Sequence, residues 1–235
     1  MSDELVSIRK LTKNYSALRP LRVQSLDVRR GAVIALSGFD AQAAEMLVGL
    51  LTGAVLPDEG DVHLFGRSTR DVTNSDAWLA MLDGVGIVTD RAVLIAQFSV
   101  EQNMAMPFTL QVDPLADEMR TRVHRLAEEV GLGVAERMRP VAESPPAVVA
   151  RVHLARALAL DPALLIAEHP SAALPRASVE PYAREIGRIA RDREMAVLAI
   201  TADRLFADAL GGQTLVHEPA SGALRRPGGW RRIFG

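Results

Sequence analysis

The sequence predicts an α/β fold built on a parallel sheet. Short apolar runs at residues 33–36, 85–88, 164–167 and 196–200 have the length and continuity of strands buried on both faces. Between them lie stretches of helical character, such as 117–130 and 179–191. Alternation of this kind marks a sheet covered by helices. Gly131-Leu132-Gly133 punctuates the end of the first of those helices. No internal repeat and no long low-complexity linker interrupts the pattern.

Composition sets bounds. With 49% hydrophobic and 24% charged residues, the chain has an ordinary globular balance. A net charge of −2 gives no basic footprint, so nucleic acid is not an expected partner. The absence of cysteine removes disulfides and thiolate metal sites. The start, Met1-Ser2-Asp3-Glu4, is polar and acidic, unlike a secretory signal. No apolar run approaches the ~18 residues that span a bilayer. The expectation is a cytoplasmic protein, peripheral on the inner face of a membrane.

The first apolar run leads through Gly38-Phe39-Asp40-Ala41-Gln42-Ala43-Ala44-Glu45-Met46 into a helix-like stretch at 46–51. A strand, a Gly-rich loop and a helix in that order is the layout of a phosphate cradle, G-x-x-x-x-G-K-[ST]. Gly38 fits the first glycine. The second-glycine slot holds Ala43, the lysine slot Ala44 and the hydroxyl slot Glu45.

Further fragments follow in an order that resembles one family, the ATP-binding-cassette ATPases of ABC transporters. Asn14-Tyr15-Ser16 is similar to its early aromatic segment, and Ser25-Leu26-Asp27-Val28-Arg29-Arg30-Gly31 to its strand and turn before the phosphate loop. Leu56-Pro57-Asp58-Glu59-Gly60-Asp61-Val62 resembles its return strand, and Phe98-Ser99-Val100-Glu101-Gln102-Asn103 its "L-T-V-x-E-N" segment. Arg151-Val152-His153-Leu154-Ala155-Arg156-Ala157-Leu158-Ala159-Leu160-Asp161-Pro162 is close to "R-V-x-x-A-R-A-L-x-x-D-P". Leu164-Leu165-Ile166-Ala167-Glu168-His169-Pro170-Ser171-Ala172-Ala173-Leu174 is close to "L-L-L-A-D-E-P-T-S-A-L". The segment Glu101–Pro107 looks most like cassettes of the lipoprotein-release and macrolide-efflux type.

The resemblance implies a RecA-like P-loop NTPase core with an N-terminal antiparallel β subdomain and an inserted helical subdomain. On that reading residues 1–91 and 159–220 form the core, 92–158 the helical part and 221–235 a basic tail. It also implies site roles, most of them altered here. Ala44 removes the phosphate-binding cation, and Glu45 removes the magnesium-binding hydroxyl. Asp40 and Glu45 place negative charge where phosphate belongs, at a cost of roughly several kcal/mol. The family's magnesium aspartate and general-base glutamate become Glu168 and His169, its γ-phosphate histidine Ala202, and its glutamine Thr89. Pro175 replaces the aspartate after Leu174. The signature stretch becomes Ser144-Pro145-Pro146-Ala147-Val148, with Ser144 a suitable helix cap and Pro145 a suitable first helical residue. Two prolines delete two backbone donors. Tyr15 is the retained ligand-type residue, expected to stack on adenine. Phe98, Met104, Met106 and Phe108 are candidates for a soft apolar contact with a permease.

Three functions follow from this pattern. One is a degenerate cassette, a pseudo-ATPase docked on a permease or a second cassette, with no cofactor or metal expected. Another is an ATPase retaining ATP and magnesium through Glu168 and His169. That version needs a replacement cation, for which Arg67, Arg70 and Arg91 are candidates if the fold brings one close. The last is a module for another ligand in an acidic cleft made by Asp40, Glu45 and Glu168. The tail, with Arg225, Arg226, Trp230, Arg231, Arg232, Ile233 and Phe234, has the composition of a membrane-surface or acidic-partner contact.

Overall fold

The computed structural model describes residues 3–72 and 74–227. The tail's Trp230, Arg231, Arg232, Ile233 and Phe234 therefore lie outside the described residues. In chain order the first segment contains β1 (Glu4–Lys13), β2 (Leu21–Arg29), β3 (Val33–Ser37), α1 (Ala41–Leu51), β4 (Glu59–Leu64), β5 (Arg67–Ser68), α2 (Ser75–Leu82) and β6 (Val85–Val88). Four helices follow: α3 (Val100–Ala105), α4 (Asp117–Glu129), α5 (Val134–Arg137) and α6 (Pro146–Leu158). The last segment holds β7 (Leu164–Glu168), α7 (Arg176–Asp192), β8 (Ala196–Ile200), α8 (Arg204–Leu210), β9 (Gln213–Glu218) and β10 (Ala223–Arg225).

The strands form two sheets. One is antiparallel, in the order β2-β1-β4-β5. In β2 the residues Leu21, Val23, Leu26 and Val28 are buried while most of their neighbours are exposed, the pattern of a sheet with one covered face. The other sheet runs β10-β9-β3-β8-β7-β6 and is parallel except for the β10 edge. Strands β7 and β8 are buried at every residue, as their unbroken apolar runs require.

The parallel sheet divides the core by its period of two. Ile34, Leu36, Ile166, Leu198 and Ile200 pack with α1 and the antiparallel sheet. Ala35, Leu165, Ala167, Val197 and Ala199 pack with α6, α7 and α8 and with the apolar faces of α3 and α4. Helix starts are locally encoded. Ser99 and Gln102 form a reciprocal capping box on α3. Asp203 caps α8, which ends at Gly211 in the left-handed region. Among the described residues no helix is long and apolar enough to cross a membrane.

The ends of the parallel strands converge on one edge, where ligands of open α/β sheets bind. The spacing there depends on a close approach of β6 to α6. A Cβ at Gly86 would lie 2.3 Å from the carbonyl oxygen of Ala157 and 3.0 Å from Pro162. Gly86→Ala is therefore expected to lower stability by about 2 kcal/mol, which a thermal melt reads as a fall of about 4–8 °C for a chain of this size. An unchanged melting temperature would mean that this contact relaxes freely.

Candidate functional site

Strand β3 ends at Ser37, and the chain turns at Gly38. That residue has φ +86°, and a Cβ there would lie 2.7 Å from the carbonyl oxygen of His217. Backbone conformation and close packing both demand glycine, with no reference to a phosphate. Phe39 is buried and stacks on the His217 ring, centroids 4.3 Å apart. Asp40 then caps α1. The Ala43 N–H donates to its carboxylate at 2.8 Å, and the Ala44 N–H to its carbonyl oxygen at 2.9 Å. The helix thus begins at Ala41, ahead of the Ala43 slot. Backbone donors that a phosphate loop would aim at its ligand are already engaged within the chain. Ala43 and Ala44 are buried, Met46 is half-buried, and Asp40 and Glu45 are exposed.

A cation does reach this place. Of the three arginine candidates, Arg91 is the one brought in, from the turn after β6. Its guanidinium forks onto the Glu168 carboxylate at 2.6 and 2.5 Å. It also stands 3.6 Å from Glu45. Arg70 instead donates to the carbonyl oxygen of Pro57, and Arg67 pairs in β5. Glu168 ends β7 with its side chain only 5% exposed, while Arg91 is 42% exposed. A carboxylate so buried needs a partner, and the planar fork matches it. The hydrogen bonds to Glu168 and its charge hold the guanidinium firmly in its charged form. Thr89, in the expected glutamine slot, orders this turn: its hydroxyl accepts from the Arg91 N–H at 3.3 Å.

This geometry corrects the expectation of a shared acidic cleft. Glu45 and Glu168 face Arg91, whereas Asp40 faces the other side, with Tyr15. Two open clefts flank Tyr15. One, of about 800 Å³, is lined by Tyr15, Gly38, Asp40, Gln42 and His217. The other, of about 610 Å³, is lined by Tyr15, Glu45, Met46 and Arg91. The Tyr15 phenol is pushed up by partial burial and then by Asp40. The Asn14 N–H before it is fixed on Asp58 at 2.7 Å.

Of the remaining positions, Ser144, Pro146 and His169 line one cavity of about 370 Å³ together with Thr89 and Glu168, and Ala202 borders a neighbouring one with His169. His169 sits at φ +42°, its N–H bonded to the carbonyl oxygen of Ile200 at 2.8 Å. Ala202 is exposed, and its neighbour Asp203 accepts from the Ser171 hydroxyl at 3.0 Å and from Arg176 at 2.9 Å. Ser144 does not cap α6. Its hydroxyl donates back to the carbonyl oxygen of Pro140 at 3.0 Å, and Pro145 takes the cap position with Pro146 first in the helix. Ala147 and Val148 lie in the first turn of α6 and Val148 is buried. Met104 is wholly buried and belongs to the core, because α3 turns that face toward α4 and α6. Phe98 also packs on the core, and Phe108 lies under the Arg122 guanidinium, 4.1 Å away. Met106 packs on the core as well and lines a groove of about 440 Å³ with Leu82, Gly86, Pro107 and Leu160.

Sequence reasoning named Arg91 as a conditional candidate and missed its partner. The available signal was charge balance: two acids, Glu45 and Glu168, stand in slots that the resemblance assigns to magnesium ligands, with no lysine beside them. Removing one partner of the pair leaves a buried charge alone. Arg91→Ala is expected to lower stability by about 2–3 kcal/mol in urea unfolding, the lower end for a buried pair because Arg91 is partly exposed. Adding Glu168→Gln to it should restore at least half of that loss. Additive losses would contradict the pairing.

A family model described as "ABC transporter" matches residues 21–172. A lipoprotein-releasing system ATP-binding protein, LolD, of Alcanivorax borkumensis is 28% identical over 229 residues, covering 96% of this chain and 98% of that protein. A ribose import ATP-binding protein, RbsA 2, of Rhizobium etli is 30% identical over 193 residues; the match covers 82% of this chain but 37% of that longer protein. The dimeric post-hydrolysis state of the ATP-binding cassette MJ0796, bound to ADP and phosphate, superposes with a TM-score of 0.77 at 19% identity, covering 94% and 97% of the two chains. The likeness to MJ0796 extends the match to the fold, and the family model with these relatives fixes the descent: the chain belongs to the ABC transporter family, as a homologue of its ATP-binding subunits.

Proposed function

We propose that this chain is a cassette subunit that has lost ATP hydrolysis and serves a permease or a second cassette as a structural or regulatory part. The observation that carries the reading is the Arg91 guanidinium forked on Glu168. A magnesium ion held by Glu168 and a guanidinium on the same two oxygens exclude each other. The site residues fit the metal poorly in other ways. Glu45 offers no hydroxyl, and Ala44 offers no cation for the phosphates. An arginine near the loop could in principle serve a working site, but its donors are committed to a protein carboxylate.

The relatives named above are ATP-binding proteins of release and import systems. By analogy, this subunit sits at the inner face of a membrane, against a permease. The groove with Met106 and Pro107 is the surface offered to that partner, and α6 and the loop before it form the surface offered to a second cassette. Nucleotide held by its base at Tyr15, without hydrolysis, is a second reading supported by the open cleft of about 800 Å³ beside that ring.

A phosphate-release assay tests the proposal. With magnesium and millimolar ATP, release should stay at background and be unaffected by His169→Ala. Sustained release that His169→Ala abolishes would overturn it and make His169 a working base.

A further inference from the structure

The groove that Met106 lines stands apart from the candidate site and carries a charge of its own. It opens beside β6, between the end of α2 and the C-terminal half of α6, with Leu82, Ala92, Ala157 and Leu160 in its walls. Its lining contains no acidic side chain and one arginine, Arg156. Apolar surface continues at the rim. Leu160 is 55% exposed, and Leu79, one turn before Leu82 on α2, is 54% exposed. Val93, in the loop after Arg91, is exposed as well. Large apolar side chains gathered in water mark a surface that another molecule covers.

Arg156 supplies the polar feature. Its guanidinium donates to the carbonyl oxygen of Val93 at 2.7 Å, which fixes the head at the groove and uses only part of its donor set. Among the described residues it makes no ion pair, whereas Arg91, Arg151 and Arg193 each meet a carboxylate. Burial draws Arg156 below the usual arginine range, and no acid opposes that pull. The neighbouring His153 is pushed down by burial and then by Arg156, against Asp90, so it adds no second cation near neutral pH. A lone, partly desolvated cation with donors to spare is relieved by a carboxylate, and an apolar surround strengthens that bond.

We propose that this groove takes an amphipathic segment of a partner protein in which one carboxylate stands among apolar side chains. The carboxylate meets Arg156, and the apolar groups lie against Leu82, Met106 and Leu160. The inference rests on the proposed role of the groove as the surface offered to a permease, and it adds the partner's chemistry and the residue that selects it. A bilayer surface fits less well, because a single cation in a concave wall gives little hold on anionic headgroups.

Random short peptides displayed on phage are the probe, selected on the full chain. Leu160→Gln marks the groove, since it replaces an exposed side chain, and an unchanged melting temperature checks that the fold survives. Peptides whose binding this variant weakens should carry apolar residues around one Asp or Glu. Replacing that acid by its amide should weaken binding about tenfold, the worth of one charge-assisted hydrogen bond. Arg156→Gln should erase the preference for the acid, and Arg156→Lys should keep part of it. Groove-dependent peptides without an acid, or a preference that survives Arg156→Gln, would overturn the inference while leaving the groove as a docking surface. Failure to select any groove-dependent peptide would overturn both. Self-association of the chain, or binding to phosphatidylglycerol vesicles, that is lost in Leu160→Gln would assign the groove to a second copy or to lipid, and would also overturn the inference.

Discussion

The cleft is organised by one ion pair. Glu168 ends a strand buried at every position, and its carboxylate has almost no access to water. The fold cannot leave that charge alone. Arg91 answers it, and in doing so fixes the turn after β6, draws in Glu45 from α1 and occupies the space between the two acids. The turn, the helix and the strand end are thereby joined by side chains where a nucleotide and its metal would otherwise join them. On the proposed reading, the subunit carries its own substitute for the ligand.

Alterations elsewhere agree with such a self-contained site. Asp40 engages the first free N–H groups of α1, so the helix start is satisfied without a phosphate. Gly38 persists because strand β9 passes too close for a side chain. At α6 two prolines open the helix, and Ser144 turns away to Pro140. On the proposed reading each of these positions lacks a group that would recognise phosphate, and Asp40 instead satisfies the start of its own helix.

Much of this was legible in the sequence. The apolar runs located β3, β6, β7 and β8 to within a residue, because strands buried on both faces leave no room for polar alternation. The family resemblance gave the antiparallel sheet, which periodicity alone did not. The proposal of empty lysine and hydroxyl slots rests on Ala44 and Glu45, read from the sequence alone. The pairing of Arg91 with Glu168 was not legible, since the two lie far apart in the chain and only the β6–β7 pairing brings them together. The same limit applies to Met104. A methionine in a short helix reads equally as groove or core, and the orientation of α3 against α6 decides for core. Ser144 failed as a cap because Pro145 takes that place, and its hydroxyl found the carbonyl of Pro140.

The central claim is that a guanidinium stands where the metal of a working cassette would stand. Crystals grown with millimolar ATP and manganese test it directly, since manganese gives an anomalous signal. The account predicts no anomalous peak between Glu45 and Glu168, with Arg91 still forked on Glu168. A manganese peak on the Glu168 carboxylate, with Arg91 swung away toward solvent, would contradict it.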